Sequence, residues 1–143
     1  MEIRIKYHAD IGRMEKVEGN KSDWIDLRTA EDVDLMPNEF KMISLGVSME
    51  LPEGYEAIVA ARSSTFKKWG IILTGGIGVI DGSYRGDNDV WMFPAFATRK
   101  VTIPKDTRIA QFRIFKNQPD IEFDEVVCLG NPDRGGIGSS GER

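Results

Sequence analysis

Cysteine, histidine and long apolar runs are all scarce in this chain of 143 residues, and each scarcity excludes something. The single cysteine, Cys128, cannot form an internal disulfide, which excludes a small secreted scaffold held by cross-links. No segment approaches the roughly 20 consecutive apolar residues of a bilayer-spanning helix. The opening Met1-Glu2-Ile3-Arg4-Ile5-Lys6 alternates charge with isoleucine, unlike the apolar core of a signal peptide. A soluble protein of a reducing, cytoplasmic compartment is the expectation, with no membrane partner. A basic surplus is missing too: 19 Lys and Arg face 23 Asp and Glu, for a net charge of −4. Proteins that hold a nucleic-acid backbone non-specifically usually carry the opposite imbalance. Nucleic acid is therefore not an expected partner, and an anionic small ligand would need arginines and backbone amides gathered locally. The lone histidine, His8, lies far in sequence from every motif below and reads as a solvated or core-edge residue rather than a metal ligand.

What is present is the balance of one globular domain, 41% hydrophobic and 29% charged. A chain of this length buries roughly 68–70% of the surface it exposes when unfolded, enough for a single core. Period-two alternation marks strands. Ile3, Ile5 and Tyr7 share one face, while Ile43, Leu45, Val47, Met49 and Leu51 share another that ends at Pro52-Glu53-Gly54. Tyr55 to Ala61 is expected to return from that turn as the second strand of a hairpin. Val101 to Ile103 and Arg108 to Phe115 read as further strands, and Cys128 as a small buried apolar residue. Only Ser63 to Trp69 reads as helix, with Ser63 or Ser64 as its cap. Short strands broken by Gly, Pro and Asp predict an all-β sandwich or barrel over residues 1–130. Residues 131–143 turn glycine-rich and predict a flexible arm, since ordering glycine costs entropy that something must offset.

Four blocks carry candidate chemistry. Arg62-Ser63-Ser64 joins a strand to the helix, pairing a fork of donors suited to phosphate oxygens with two hydroxyls. Alone it reads equally as a helix cap beside an exposed arginine. Gly75-Gly76-Ile77-Gly78-Val79-Ile80-Asp81 lets backbone approach a flat ligand closely, and places a half-desolvated carboxylate at a strand end as a candidate general base. Tyr84 follows within reach of a sugar or base; a plain turn with a core tyrosine is the alternative. Arg108-Ile109-Ala110-Gln111 alternates imperfectly and passes in isolation for a surface strand. Arg134-Gly135-Gly136 with Ser139 and Ser140 offers an anion-binding nest, or else a polar tail. It lacks the lysine and spacing of a P-loop.

In this order the blocks, with Trp24-Ile25-Asp26-Leu27 before them, resemble the motifs of the homotrimeric all-β dUTPases. The resemblance implies a jelly-roll-like domain that assembles as a homotrimer with shared active sites. It implies hydrolysis of dUTP to dUMP and pyrophosphate, which lowers dUTP and supplies dUMP for thymidylate synthesis. Asp81 would activate the water that attacks the α-phosphorus. Tyr84 would pack under the deoxyribose and exclude a 2′-hydroxyl. Backbone around Gly75, Gly76, Ile77 and Gly78 would read uracil. Arg62, Ser63, Ser64 and Gln111 would hold the triphosphate, while Arg134, Ser139 and Ser140 would close over it from a different subunit. Asp26 would meet a Mg²⁺ ion through water, the ion sitting mainly on the phosphates.

Two departures stand out. Thr65 occupies a position where the family commonly has glycine, and Gly136-Ile137-Gly138 lacks the aromatic residue that the family's fifth motif lays over uracil. Trp91, Phe93 and Phe96 are candidates to replace that lid, with Phe93 favoured because Pro94 is expected to break the strand beside it. Two rival functions share the pattern. A dCTP deaminase of the same fold would need a second carboxylate near Asp81, and none is evident. A nucleotide-controlled regulator that binds a protein partner would retain the motifs with hydrolysis incidental or lost.

Overall fold

Among the described residues, alternation of apolar and polar side chains gives eleven short strands, joined at one point by a helical turn. The computed structural model describes residues 1–15 and 22–136. In chain order the elements are β1 (Arg4–Tyr7), β2 (Ile25–Arg28), β3 (Val33–Leu35), β4 (Phe40–Ser44), β5 (Val47–Glu50) and β6 (Tyr55–Ala61). There follow α1 (Thr65–Trp69), β7 (Ile71–Leu73), β8 (Gly78–Ile80), β9 (Met92–Ala97), β10 (Val101–Ile103) and β11 (Arg108–Lys116). One sheet has the order β2-β11-β6-β8 and a second β4-β9-β7, flanked by the pairs β1-β5 and β10-β3; every pairing is antiparallel. The all-β expectation holds. The inward faces meet in one core, where Trp91 sets its ring edge-on to Phe112 at 5.2 Å between centroids. Among the described residues no helix is long and apolar enough to cross a membrane.

The expected hairpin is not formed. The long alternating run breaks at Gly46, whose φ of 69° suits glycine and where a Cβ would come within 2.9 Å of the Ala30 Cβ. The chain changes sheets there: β4 pairs with β9, and β5 pairs with β1. Past the Pro52–Tyr55 turn, β6 enters the middle of the four-stranded sheet between β11 and β8. Alternation told which faces are buried, not which strand lies alongside.

The imperfect pattern of β11 also has a physical cause. A bulge between Arg108 and Ala110 shifts the register against β2, so Ile109 and Ala110 are both buried while Arg108 and Gln111 emerge. The helix ends on Gly70 in the left-handed region, whose N–H donates to the Phe66 carbonyl. Ser64 occupies its N-cap without a side-chain bond, so the expected serine cap is absent. β11 closes at Lys116, and residues 117–136 carry neither strand nor helix. Cys128 lies exposed in that segment rather than buried, with Phe123, Val127 and Leu129 exposed around it.

Candidate active site

Adjacent strands bring together two of the expected phosphate-binding residues, Arg62 and Gln111, and Asp26, the residue expected to meet Mg²⁺ through water. Asp26 on β2 is directly opposite Gln111 on β11, which is opposite Ala60 on β6, so one row crosses the sheet toward Arg62. The Arg62 Nε lies 3.0 Å from one Asp26 carboxylate oxygen, and the Arg108 Nε lies 3.9 Å from the other. Gln111 Nε2 donates to the Ala61 carbonyl at 3.2 Å. With side chains 33% and 25% exposed, the Arg62–Asp26 pair is partly solvated. Such pairs contribute about 0–1 kcal/mol to stability, so it is better understood as holding a guanidinium in place. Two arginines against one carboxylate leave the cluster a surplus positive charge.

Thr65 explains its own departure from the family pattern. Its buried hydroxyl donates to the Ile109 carbonyl at 2.7 Å and accepts the Arg62 N–H at 3.0 Å. The turn carrying Arg62 is thereby pinned to β11, a bond that glycine cannot supply. Ser63 and Ser64, next to it, are exposed. Nothing in a sequence pattern signals this role of Thr65 except a hydroxyl where none is needed for a turn.

The second group lies on the far edge of the same sheet. Gly75 and Gly76, with φ of 81° and 82°, turn the chain from β7 into β8. A Cβ at Gly76 would meet no atom within 4 Å, so the turn presents bare backbone to solvent. Ile77 is exposed, and Gly78 lies so close to β6 that a Cβ would stand 3.3 Å from the Val59 Cβ. Asp81 follows β8 and is exposed in the single chain rather than half-desolvated. The Tyr84 N–H donates to the Asp81 carbonyl at 3.0 Å, and its hydroxyl donates to the Val90 carbonyl at 2.8 Å.

Register sets the distance between the two groups. β8 pairs Ile80 with Ala57, so Asp81 falls level with Glu56, six residues before Arg62 on β6. At about 3.3 Å per residue, that is a separation of roughly 20 Å along the strand. The cluster and the candidate base are not brought together within one chain. Arg134 and Gly135 are exposed beyond the last strand, while Ser139 and Ser140 lie outside the described residues.

The expected lid is corrected. Phe93 is fully buried, directly opposite Ile43, and Trp91 is fully buried as well. Pro94 does not break β9: it keeps register with Met42, and its carbonyl accepts the Thr74 N–H. An odd-numbered residue of β9 points inward and an even-numbered one outward, which makes Phe93 core and sets Phe96 on the outer face between Phe40 and Ile72. Phe93→Ala is expected to cost about 3–5 kcal/mol of stability, the range for a buried aromatic truncated to alanine, measured by denaturant unfolding. Nucleotide affinity of the folded fraction should be unchanged.

A jelly-roll-like all-β domain, with an arginine–carboxylate cluster on one sheet edge and a glycine turn with an aspartate on the other, is the class of protein that this geometry defines. The dUTPase family model matches residues 20–141. The chain is 56% identical over 144 aligned positions, covering all of both chains, to the SPbeta prophage-derived deoxyuridine 5'-triphosphate nucleotidohydrolase of Bacillus subtilis. In fold it is similar to a Staphylococcus bacteriophage 80alpha dUTPase mutant solved with dUpNHpp, at 21% identity, TM-score 0.77 and 98% coverage of each chain. A dUTPase mutant from phage phi11 of S. aureus, described for its coordination of a structural Mg(II) ion, aligns with TM-score 0.73 and 18% identity over 90% of this chain and 99% of that one. The chain belongs to the dUTPase family.

Proposed function

We propose that this protein hydrolyses dUTP to dUMP and pyrophosphate. The observation that carries the reading is end-to-end similarity to a deoxyuridine triphosphate nucleotidohydrolase, in a chain whose sheet displays both the arginine cluster and the Asp81 turn. Arg62, Gln111 and the hydroxyls of Ser63 and Ser64 hold the triphosphate, and Arg108 adds its charge beside Arg62. The glycine turn from Gly75 to Gly78 offers backbone N–H and C=O groups to the uracil edge, and Tyr84 sets its ring against the deoxyribose. Asp81 takes a proton from water as the water oxygen bonds to the α-phosphorus. The bond from that phosphorus to the bridging oxygen breaks, and pyrophosphate leaves with its charge neutralised by the arginines.

The site is proposed to be assembled between copies of the chain. A separation of roughly 20 Å on one rigid sheet exceeds the reach of an aspartate to an innermost phosphate held by Arg62. A copy that lends its Asp81 turn to its neighbour's cluster removes the gap, and three copies close such head-to-tail contacts into a ring. The exposed apolar residues of 117–136 favour the same arrangement. Phe123, Val127 and Leu129 are 91%, 108% and 82% exposed in the single chain, so they have no core of their own to join. The glycine-rich residues 131–143 then continue as the arm that brings Arg134, Ser139 and Ser140 to another subunit's phosphates.

Asp26 offers one carboxylate, already engaged by Arg62, and no group of three or more acidic, histidine or cysteine ligands occurs among the described residues. That donor set fits an ion carried by the triphosphate and touched through water. Bound there, Mg²⁺ would neutralise phosphate charge. The test is pyrophosphate release from each deoxynucleoside triphosphate and from UTP, with and without Mg²⁺. Rapid release from dUTP alone is expected, lost on chelation; ammonia release from dCTP would instead establish the deaminase.

A further inference from the structure

We infer that Ser48 and His8 form a clamp that positions the loop carrying Tyr84, and so set how strictly the enzyme separates deoxyribose from ribose. The inference rests on the proposed role of the Asp81–Tyr84 segment. Ser48 belongs to β5, where Val47 and Met49 point into the core, so its side chain emerges on the opposite face. That face would be wet, yet Ser48 is only 4% exposed, and its hydroxyl meets loop backbone: it donates to the Asp89 carbonyl at 2.9 Å, with the Asp87 carbonyl at 3.4 Å. Among the described residues, no other side chain outside 81–90 is hydrogen-bonded to this loop.

The hydroxyl has one proton, and both carbonyls can only accept. His8 Nε2, 2.8 Å from the Ser48 oxygen, must therefore be the donor to it. Neutral His8 accordingly carries its hydrogen on Nε2, and the clamp has the same polarity in the imidazolium. The His8 N–H is itself bonded to the Gly46 carbonyl, which fixes the ring's attachment point to the β4–β5 break.

The clamp reaches the sugar site through the loop. The Tyr84 hydroxyl donates to the carbonyl of Val90, the residue after the one that Ser48 holds, and Gly86 N–H donates to the Asp89 carboxylate at 2.7 Å. Tyr84 is thus tied at its tip to the segment that Ser48 anchors. Freeing Asp89 lets the Val90 carbonyl and the ring shift together, which loosens the fit to the sugar without touching the phosphates. Ser48 and His8 are positioning residues.

The experiment compares kcat/KM for dUTP and UTP in full-length Ser48→Ala, His8→Ala and His8→Gln. Each alanine variant is expected to lower the dUTP-to-UTP ratio about fivefold, the scale of one net hydrogen bond, mainly through a higher KM for dUTP. His8→Gln, which restores an N–H donor at similar reach, should recover most of the ratio. His8 is exposed, so its variants stay informative if Ser48→Ala proves unstable in thermal unfolding. An unchanged ratio in a folded alanine variant, or no recovery in His8→Gln, overturns the clamp. Asp81→Asn run alongside separates the layers: if it is inactive, a failed ratio counts against the clamp alone. If it is fully active, the proposed site falls and the clamp with it.

Discussion

Asp81→Asn is expected to reduce dUTP hydrolysis by about 10²–10⁴-fold, the usual contribution of a positioned general base, while leaving the affinity for a non-hydrolysable dUTP mimic near that of the parent. Asparagine has the size of aspartate and still orients a water, but it has no anionic oxygen to receive the proton. In the single chain the Asp81 carboxylate is exposed at the end of β8. Docking against another copy, as proposed, would take it out of bulk water and raise its capacity to accept a proton. Pyrophosphate release gives the rate and calorimetric titration the affinity. Turnover within a few-fold of the parent would remove Asp81 from the mechanism.

Mixing two inactive variants should restore activity. Arg62→Ala removes the guanidinium proposed to bind the developing phosphate charge, and a loss of about 10²–10³-fold is expected for such a group. Asp81→Asn is inactive for a different reason. If each site takes its aspartate from one copy and its arginine from the next, random reassembly of equal amounts leaves about one site in four with both groups intact. Co-expressed under two affinity tags and purified as mixed trimers, which removes the two uniform assemblies, the pair should therefore recover about a third of the parent rate, one competent site in three. A site built within one chain would show no recovery at all, since every copy would then carry one defect. The prediction depends on β6 alone, because that strand sets Arg62 and the level of Asp81 at its two ends.

Much of this arrangement is legible in the residues, and what is not has identifiable causes. The helical turn at Thr65–Trp69 follows from local chemistry, as does the inward face of β10, where alternation is regular. Pairing partners do not follow, because a strand's own pattern is silent about its neighbour; hence the hairpin expected between β5 and β6 dissolves into three separate pairings. Arg108 belongs beside Asp26 only because a bulge sets it and Gln111 on the same side, and a bulge leaves merely a blemish in the alternation. Phe93 misleads for the opposite reason: a proline next to it suggests a break, whereas Pro94 keeps its place in the ladder. Ser48 was invisible because a lone serine on a strand's wet face has nothing to distinguish it until a loop is seen lying across it.

The stiffness of the four-stranded sheet has a consequence for newly synthesised protein. No hinge lies between the Arg62 end of β6 and its Tyr55 end, since β6 is bonded to β11 along its whole length. If the site is shared between copies as proposed, a solitary chain cannot fold back on itself to become competent, however well it is formed. Catalysis would then begin at encounter, and the rate a cell obtains would rise more steeply than the number of polypeptides it makes until assembly is complete.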